Sequence, residues 1–201
     1  MFAIVQAAGW PIWPLLLASI ISVALIIERL VALRRSKVVP AGLLQRAVGE
    51  FKRGANNDKL LDDLERHSPL GRVLSAGLRN VNASREIMKE SIEETGSAVS
   101  HELNRYLTTL GTIASISPLM GLFGTVVGMI EIFGSQSPTG ANPMQLANGI
   151  SIALYNTGFG IFIAVPCLIF WRHFRALVDG FVVEMEQQAV RLVEYMHGDR
   201  K

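Results

Sequence analysis

Apolar positions in this chain follow two patterns. Three long blocks, Trp10 to Leu33, Tyr106 to Phe133 and Leu146 to Trp171, are apolar on nearly every face. A bilayer core takes about 20 helical residues to cross, so each block is predicted to be a transmembrane helix. Elsewhere the apolar residues recur at helical intervals. Leu43, Leu44, Ala47, Val48 and Phe51 form one such stripe, and Gly54 to Asp58 reads as a turn before the short helix KLLDDLERH. Pro69 opens a further helical piece in SPLGRVLSAGL. Met88, Ile92, Thr95, Val99, Leu103 and Tyr106 make a stripe that runs straight into the second block, with Glu86, Glu90, Glu93 and Glu94 on other faces. After the third block, Phe174, Leu177, Val178, Phe181, Met185, Ala189, Leu192 and Met196 continue the helical period almost to the end.

The short helices are too few for a large core of their own, so they are expected to pack on the inward extensions of the membrane helices. At 1.5 Å per residue, the third block and its tail together make a helix of roughly 75 Å. A helix of that length needs neighbours, which predicts a bundle, most simply a ring of identical subunits. The fold class is therefore all-α integral membrane protein, with three transmembrane helices and long cytoplasmic helical extensions. The expected segments are an outer tail (1–9), span one (10–33), a cytoplasmic helical segment (34–105), span two (106–133), an outer loop (134–145), span three (146–171) and a cytoplasmic C-terminal helix (172–201).

Composition supports that class: half of the 201 residues are hydrophobic and only 18% are charged. No charged residue lies between Arg105 and Glu131, or from Ile132 to Trp171. The first block has no basic residue ahead of it and ends in Glu28-Arg29, which marks a retained anchor rather than a cleaved signal peptide. Trp10 and Trp13 at its head suit a headgroup region.

The net charge of +2 matters less than its placement. Arg34, Arg35 and Lys37 follow span one, Arg105 precedes span two, and Arg172 and Arg175 follow span three, whereas the first nine residues and the 134–145 loop hold no Lys or Arg. The positive-inside rule then places the N-terminus outside and the C-terminus in the cytoplasm.

Several chemistries drop out. The one cysteine, Cys167, lies within span three, so neither a disulfide framework nor a thiolate metal site is expected. His67, His101, His173 and His197 lack ligand spacing, and no P-loop or nucleophile motif is present. No cofactor and no metal are expected, and the chain is not expected to be an enzyme. Basic residues are scattered among acids, which argues against nucleic acid as a partner.

The most informative stretches are PLMGLFGTVVGMIEIF, from Pro118 to Phe133, and GISIALYNTGFGIFIAVP, from Gly149 to Pro166. Gly121, Gly124 and Gly128 on span two, with Gly149 and Gly160 on span three, predict a hairpin packed backbone to backbone, since small residues let membrane helices approach closely. Thr125 and Thr157 fall roughly 14 to 17 Å deep, near the midplane. Each hydroxyl has two readings: it bonds the carbonyl one turn back, or it lines a polar path. Glu131, the only acid in spans two and three, lies near the outer boundary, either as an interfacial residue or as an outer entrance for ions. With no acid at midplane, a titrating group would have to come from another chain.

These residues resemble the MotA/TolQ/ExbB proton-channel family, and its ExbB/TolQ branch most of all. The resemblance covers essentially the whole chain. It is carried by SPLGRVLSAGL, by Pro118, Gly121, Leu122, Gly124, Thr125, Val126 and Gly128, and by Gly149, Ile150, Ala153, Leu154, Thr157, Gly160, Ala164 and Pro166. It implies a ring of five copies in the bacterial inner membrane around a dimer of a single-span ExbD/TolR-like partner with a membrane aspartate. It also implies Thr125 and Thr157 as pore-lining hydroxyls, and leaves room for a TonB-like protein. The chain departs from the family in one place: Ile152 stands where the ExbB/TolQ pattern has a glutamate. Isoleucine can neither hold a proton nor donate a hydrogen bond. Two functional readings follow, an ion-driven motor or channel subunit and a non-conducting structural ring; a secondary transporter is disfavoured by the small number of spans and the lack of inverted repeats.

Overall fold

The computed structural model describes residues 9–54, 57–134 and 143–198. The predicted outer tail, apart from Gly9, and most of the predicted 134–145 loop lie outside the described residues. Among those described, all regular structure is helical: α1 (Ile12–Ala32), α2 (Arg35–Val38), α3 (Leu43–Lys52), α4 (Asn57–His67), α5 (Pro69–Arg79), α6 (Arg85–Asn104), α7 (Leu107–Gly134) and α8 (Pro143–His197). Three stretches are long and apolar enough to cross a membrane, within Ile12–Ala32, Arg85–Gly134 and Gly149–His197. Contacts divide the chain into two compact units, Met1–Glu28 with Tyr106–His173, and Arg29–Arg105 with Phe174–Lys201.

In the first unit, α1 buries Ile12 and Leu15 while Leu17, Ile20, Val23 and Ile27 stay exposed. Exposed apolar side chains in such number suit a lipid-facing surface. Trp10, expected at the headgroup level, meets Phe123 edge to face at 6.0 Å between ring centroids. Phe123 belongs to the middle of α7, so this tryptophan packs against a neighbouring ring as well as heading a helix, a contact type that adds about 0.5–1.5 kcal/mol.

The second unit holds α2 to α6 and the last part of α8, and it is a helical core of the ordinary kind. The stripe on α8 buries Phe174, Val178, Phe181, Met185, Ala189 and Leu192, a run spaced at the helical period. Opposite it, α6 buries Met88, Ile92, Val99 and Leu103, and α5 packs against both α4 and α6. Local signals start the helices. Ser68 accepts a hydrogen bond from the Gly71 N–H at 3.0 Å with Pro69 in the first turn, so SPLG is an N-cap that sets where α5 begins. Ser84 does the same for α6 through Ile87. In that first turn Glu86 is held below the usual carboxylate pKa by a backbone N–H and by the Ser84 hydroxyl.

The stripe from Met88 to Tyr106 meets span two at a break, since α6 stops at Asn104 and α7 starts at Leu107. Between them Tyr106 takes φ of 66°, the left-handed region that a bulky residue rarely adopts, and it is exposed rather than buried. The last carbonyls of α6 need other donors at this break, and the buried Arg29 supplies one to the Leu103 carbonyl at 3.2 Å. The ion pairs described for this unit lie at the surface: Arg79 with Asp62 and Glu65, Arg72 with Glu102, and Arg35 with Glu184. Exposed pairs of this kind add at most about 1 kcal/mol each.

Two glycines of this unit give opposite predictions. A Cβ on Gly71 would run into the Leu64 carbonyl, whereas one on Gly96, inside α6, meets nothing within 4 Å. Gly71→Ala is expected to destabilise the second unit by about 1–3 kcal/mol, while Gly96→Ala stabilises it by about 0.5–1 kcal/mol through lower chain entropy. Thermal unfolding of the full-length protein in detergent, followed by circular dichroism, checks both signs.

Candidate functional site

Helices α7 and α8 form an antiparallel pair within the first unit, and the glycines govern how close they come. A Cβ on Gly160 would strike the Ser117 carbonyl. On Gly121 it would come within 2.7 Å of the Asn156 carbonyl and 2.9 Å of Thr157 Cα, and on Gly124 within 2.8 Å of Asn156 Cβ and Cγ. Gly128 is looser, its would-be Cβ lying 3.5 Å from that of Ala153, and Gly149 faces the Ile132 side chain. Backbone therefore lies on backbone at the centre of the hairpin, where neither helix has room for a methyl group. Towards the loop end the contact passes to side chains.

This pairing sets the two threonines nearly level. Gly121 faces Thr157 and Gly128 faces Ala153, so Thr125 falls about two residues, or ~3 Å, from the level of Thr157. The hydroxyls differ in what they do. Thr125 Oγ1 donates to the Leu122 carbonyl at 2.6 Å, the back-bonding option open to any helical threonine. Ser22, Thr112, Ser115, Ser117 and Ser151 make similar bonds within their own helices. Thr157 departs from this habit: its Oγ1 is shut off from solvent and has no hydrogen-bond partner. A buried hydroxyl left unpaired costs about 1–3 kcal/mol, and such a group in a folded protein calls for a reason.

The remaining predicted positions spread out from this centre. Thr125 lies beside an open, largely apolar groove on α7 with Val126, Met129, Ile130 and Phe133. Glu131 is exposed, three residues before the end of α7. Ile152 is on α8, and its side chain lies outside the described residues. Asn156 had no assigned purpose in the sequence, yet it is 1% exposed and sits where α8 meets Gly121 and Gly124. Its only sequence signal was a carboxamide in the middle of an apolar span.

Fold and site together define an all-helical, multi-pass membrane protein whose centre is a glycine-packed hairpin of hydroxyl-bearing helices. The pattern of the MotA/TolQ/ExbB proton channel family matches residues 65–187. Among curated relatives, the Biopolymer transport protein exbB1 of Vibrio cholerae is 36% identical over 171 residues, covering 81% of this chain and 74% of its own length. A putative biopolymer transport protein, ExbB-like 3, of Synechocystis sp. is 34% identical over 201 aligned positions, covering 90% of this chain and 89% of its own. The Tol-Pal system protein TolQ of Haemophilus influenzae is 32% identical over 105 residues, half of this chain and 46% of its own. The chain belongs to the MotA/TolQ/ExbB proton channel family and is a membrane subunit of the ExbB/TolQ type. That family is one of transport and channel proteins rather than of enzymes.

The hairpin geometry predicts a graded response to one added methyl. Gly121→Ala and Gly160→Ala are expected to lower the thermal midpoint of the purified protein by several degrees, equivalent to about 1–3 kcal/mol of overpacking. Gly128→Ala, at ordinary contact distance, should leave the midpoint within about 0.5 kcal/mol of the parent. Differential scanning fluorimetry on the three variants checks the order.

Proposed function

We propose that this chain is the wall-forming subunit of an ion-driven complex of the bacterial inner membrane. Five copies surround a dimer of a single-span ExbD/TolR-like protein whose membrane aspartate carries the proton. The N-terminus is periplasmic and the C-terminus cytoplasmic. Proton flow turns or shifts the partner against the ring, and the work reaches the outer membrane, with a TonB-like protein as one route. The names borne by the relatives, biopolymer transport and Tol-Pal system, support that setting. The observation that carries the reading is the Thr157 hydroxyl, held in the helix seam without a partner while those of Thr125 and Ser117 bond to their own helix.

An unpaired hydroxyl at this depth is preorganised to hydrogen-bond a group brought by another chain or by a hydrated ion. Thr125, although bonded to Leu122, can rotate to join it, since its groove is open. This chain has no acid between Arg105 and Arg172 other than Glu131, so the proton carrier belongs to the partner, and Glu131 serves as an outer entrance. Each proton that crosses 100 mV releases about 2.3 kcal/mol, so several are needed for sizeable work. A second reading, a non-conducting scaffold ring, is favoured by Ile152, which removes a titratable group from the family's usual place.

Conduction separates the two. In vesicles holding the purified complex, Thr157→Val is expected to abolish proton uptake and Thr125→Val to reduce it at least about tenfold, with assembly intact on gel filtration. Uptake that survives both substitutions unchanged would leave the scaffold reading standing. Ile152→Glu is expected to impair uptake, because a carboxyl group introduced at an apolar membrane position costs about 2–4 kcal/mol; a gain would return the family glutamate to the mechanism.

A further inference from the structure

We infer that Asn156 is the positioning residue of the hairpin: its amide, seated on Gly124, fixes the rotation of α8 on α7 and turns the Thr157 hydroxyl into the seam.

Three observations meet at this point. First, Asn156 is almost completely buried in a span whose other buried side chains, Ala153, Ile163, Ala164 and Cys167, are apolar or nearly so. An amide facing lipid is costly, so such a residue favours the helix rotation that places it in the seam over those that turn it outward. Second, the seat is closely fitted. A Cβ on Gly124 would lie 2.8 Å from Asn156 Cβ and Cγ and 3.0 Å from Nδ2, so glycine alone leaves room for the carboxamide there. One turn away Gly121 takes the Asn156 carbonyl and the Thr157 Cα, which leaves α8 gripped at two successive residues.

The third observation is the state of Thr157. Its two branches differ in size, the hydroxyl being smaller than the methyl. The residue is partly exposed overall, yet Oγ1 itself is sealed from solvent, so the oxygen takes the crowded side and the bulkier remainder faces outward. A threonine free to choose would rotate and bond a carbonyl of its own helix, as Thr125 does. The close approach enforced at Gly121 and Gly124 selects the smaller branch for the seam and holds the hydroxyl away from that alternative. Widening the seam by displacing Asn156 removes the constraint.

Register can be read without conduction. The would-be Cβ of Gly128 lies 3.5 Å from that of Ala153, within disulfide range. In a full-length Cys167→Ala background, Gly128→Cys with Ala153→Cys should therefore oxidise readily in native membranes. Adding Asn156→Leu, which keeps the branching and heavy-atom count but is apolar and bulkier, is expected to slow that oxidation about tenfold, the change expected when the amide no longer sets the helix rotation. Ile163→Ala, a packing loss elsewhere on α8, serves as a control of comparable destabilisation and should leave the oxidation rate unchanged.

The compensating pair Gly124→Ala with Asn156→Ala refills the space without the amide. It should recover the parent's thermal midpoint but not its oxidation rate. An unchanged rate in Asn156→Leu, or full recovery in the compensating pair, would overturn the assignment and make Asn156 a packing residue.

The consequence for conduction rests on the ion-path reading, and there Asn156→Leu should reduce proton uptake to the level of Thr157→Val. If Thr157→Val leaves uptake unchanged, the ion-path reading fails and the oxidation result still decides the role of Asn156. If Thr157→Val abolishes uptake while Asn156→Leu keeps both uptake and oxidation rate, only the present inference fails.

Discussion

Contact between bare backbone segments is the constraint on which the hairpin rests. In lipid no hydrophobic force draws two helices together, so the association of α7 with α8 depends on dispersion between surfaces that fit. Gly121 and Gly160 let the fit reach the main chain itself, and Gly124 lets it reach the Asn156 side chain. That closeness has a second effect, on polar groups. A seam too narrow for a methyl decides which atom of Thr157 enters it and leaves room for one carboxamide, that of Asn156. Packing and the placement of polar atoms are therefore one problem here.

The second unit solves a different problem by different means. Its helices are amphipathic, its core is filled by Leu70, Leu74, Met88, Phe174 and Leu192, and its helix starts are set by Ser68 and Ser84. Here burial from water supplies the driving force, at about 25 cal/mol per Å² of apolar surface. The same chain thus obeys two solvents, and α8 takes part in both units.

How much of this was legible in the sequence depends on the range of the interaction concerned. The α8 stripe from Phe174 to Leu192 and the α6 stripe from Met88 to Leu103 could be read from period alone, because amphipathicity is a local property. The glycine pattern likewise announced a close hairpin. Which glycines meet main chain and which meet side chain was not legible, since that depends on register between helices. Thr125 and Thr157 looked alike for the same reason: a hydroxyl's choice between its own helix and the seam is made by the opposite helix. Asn156 shows no purpose in the sequence, because the Gly124 that seats it lies on the other helix. Charge places a boundary at residues 105 and 106, but the form of the break is not legible, because periodicity carries no signal for a residue held at positive φ.

That break also bears on how helical order is propagated. Hydrogen bonding along a helix is cooperative, each bond easing the next, and a residue at φ of 66° ends one such series and obliges another to begin. Fraying that starts in α6 therefore does not run on into α7; it meets a boundary at Arg105 and Tyr106, where the Leu107 end must nucleate for itself. Amide exchange should accordingly change in a step at that point rather than along a gradient. The tyrosine works as a firebreak between two stretches of chain that one apolar stripe joins.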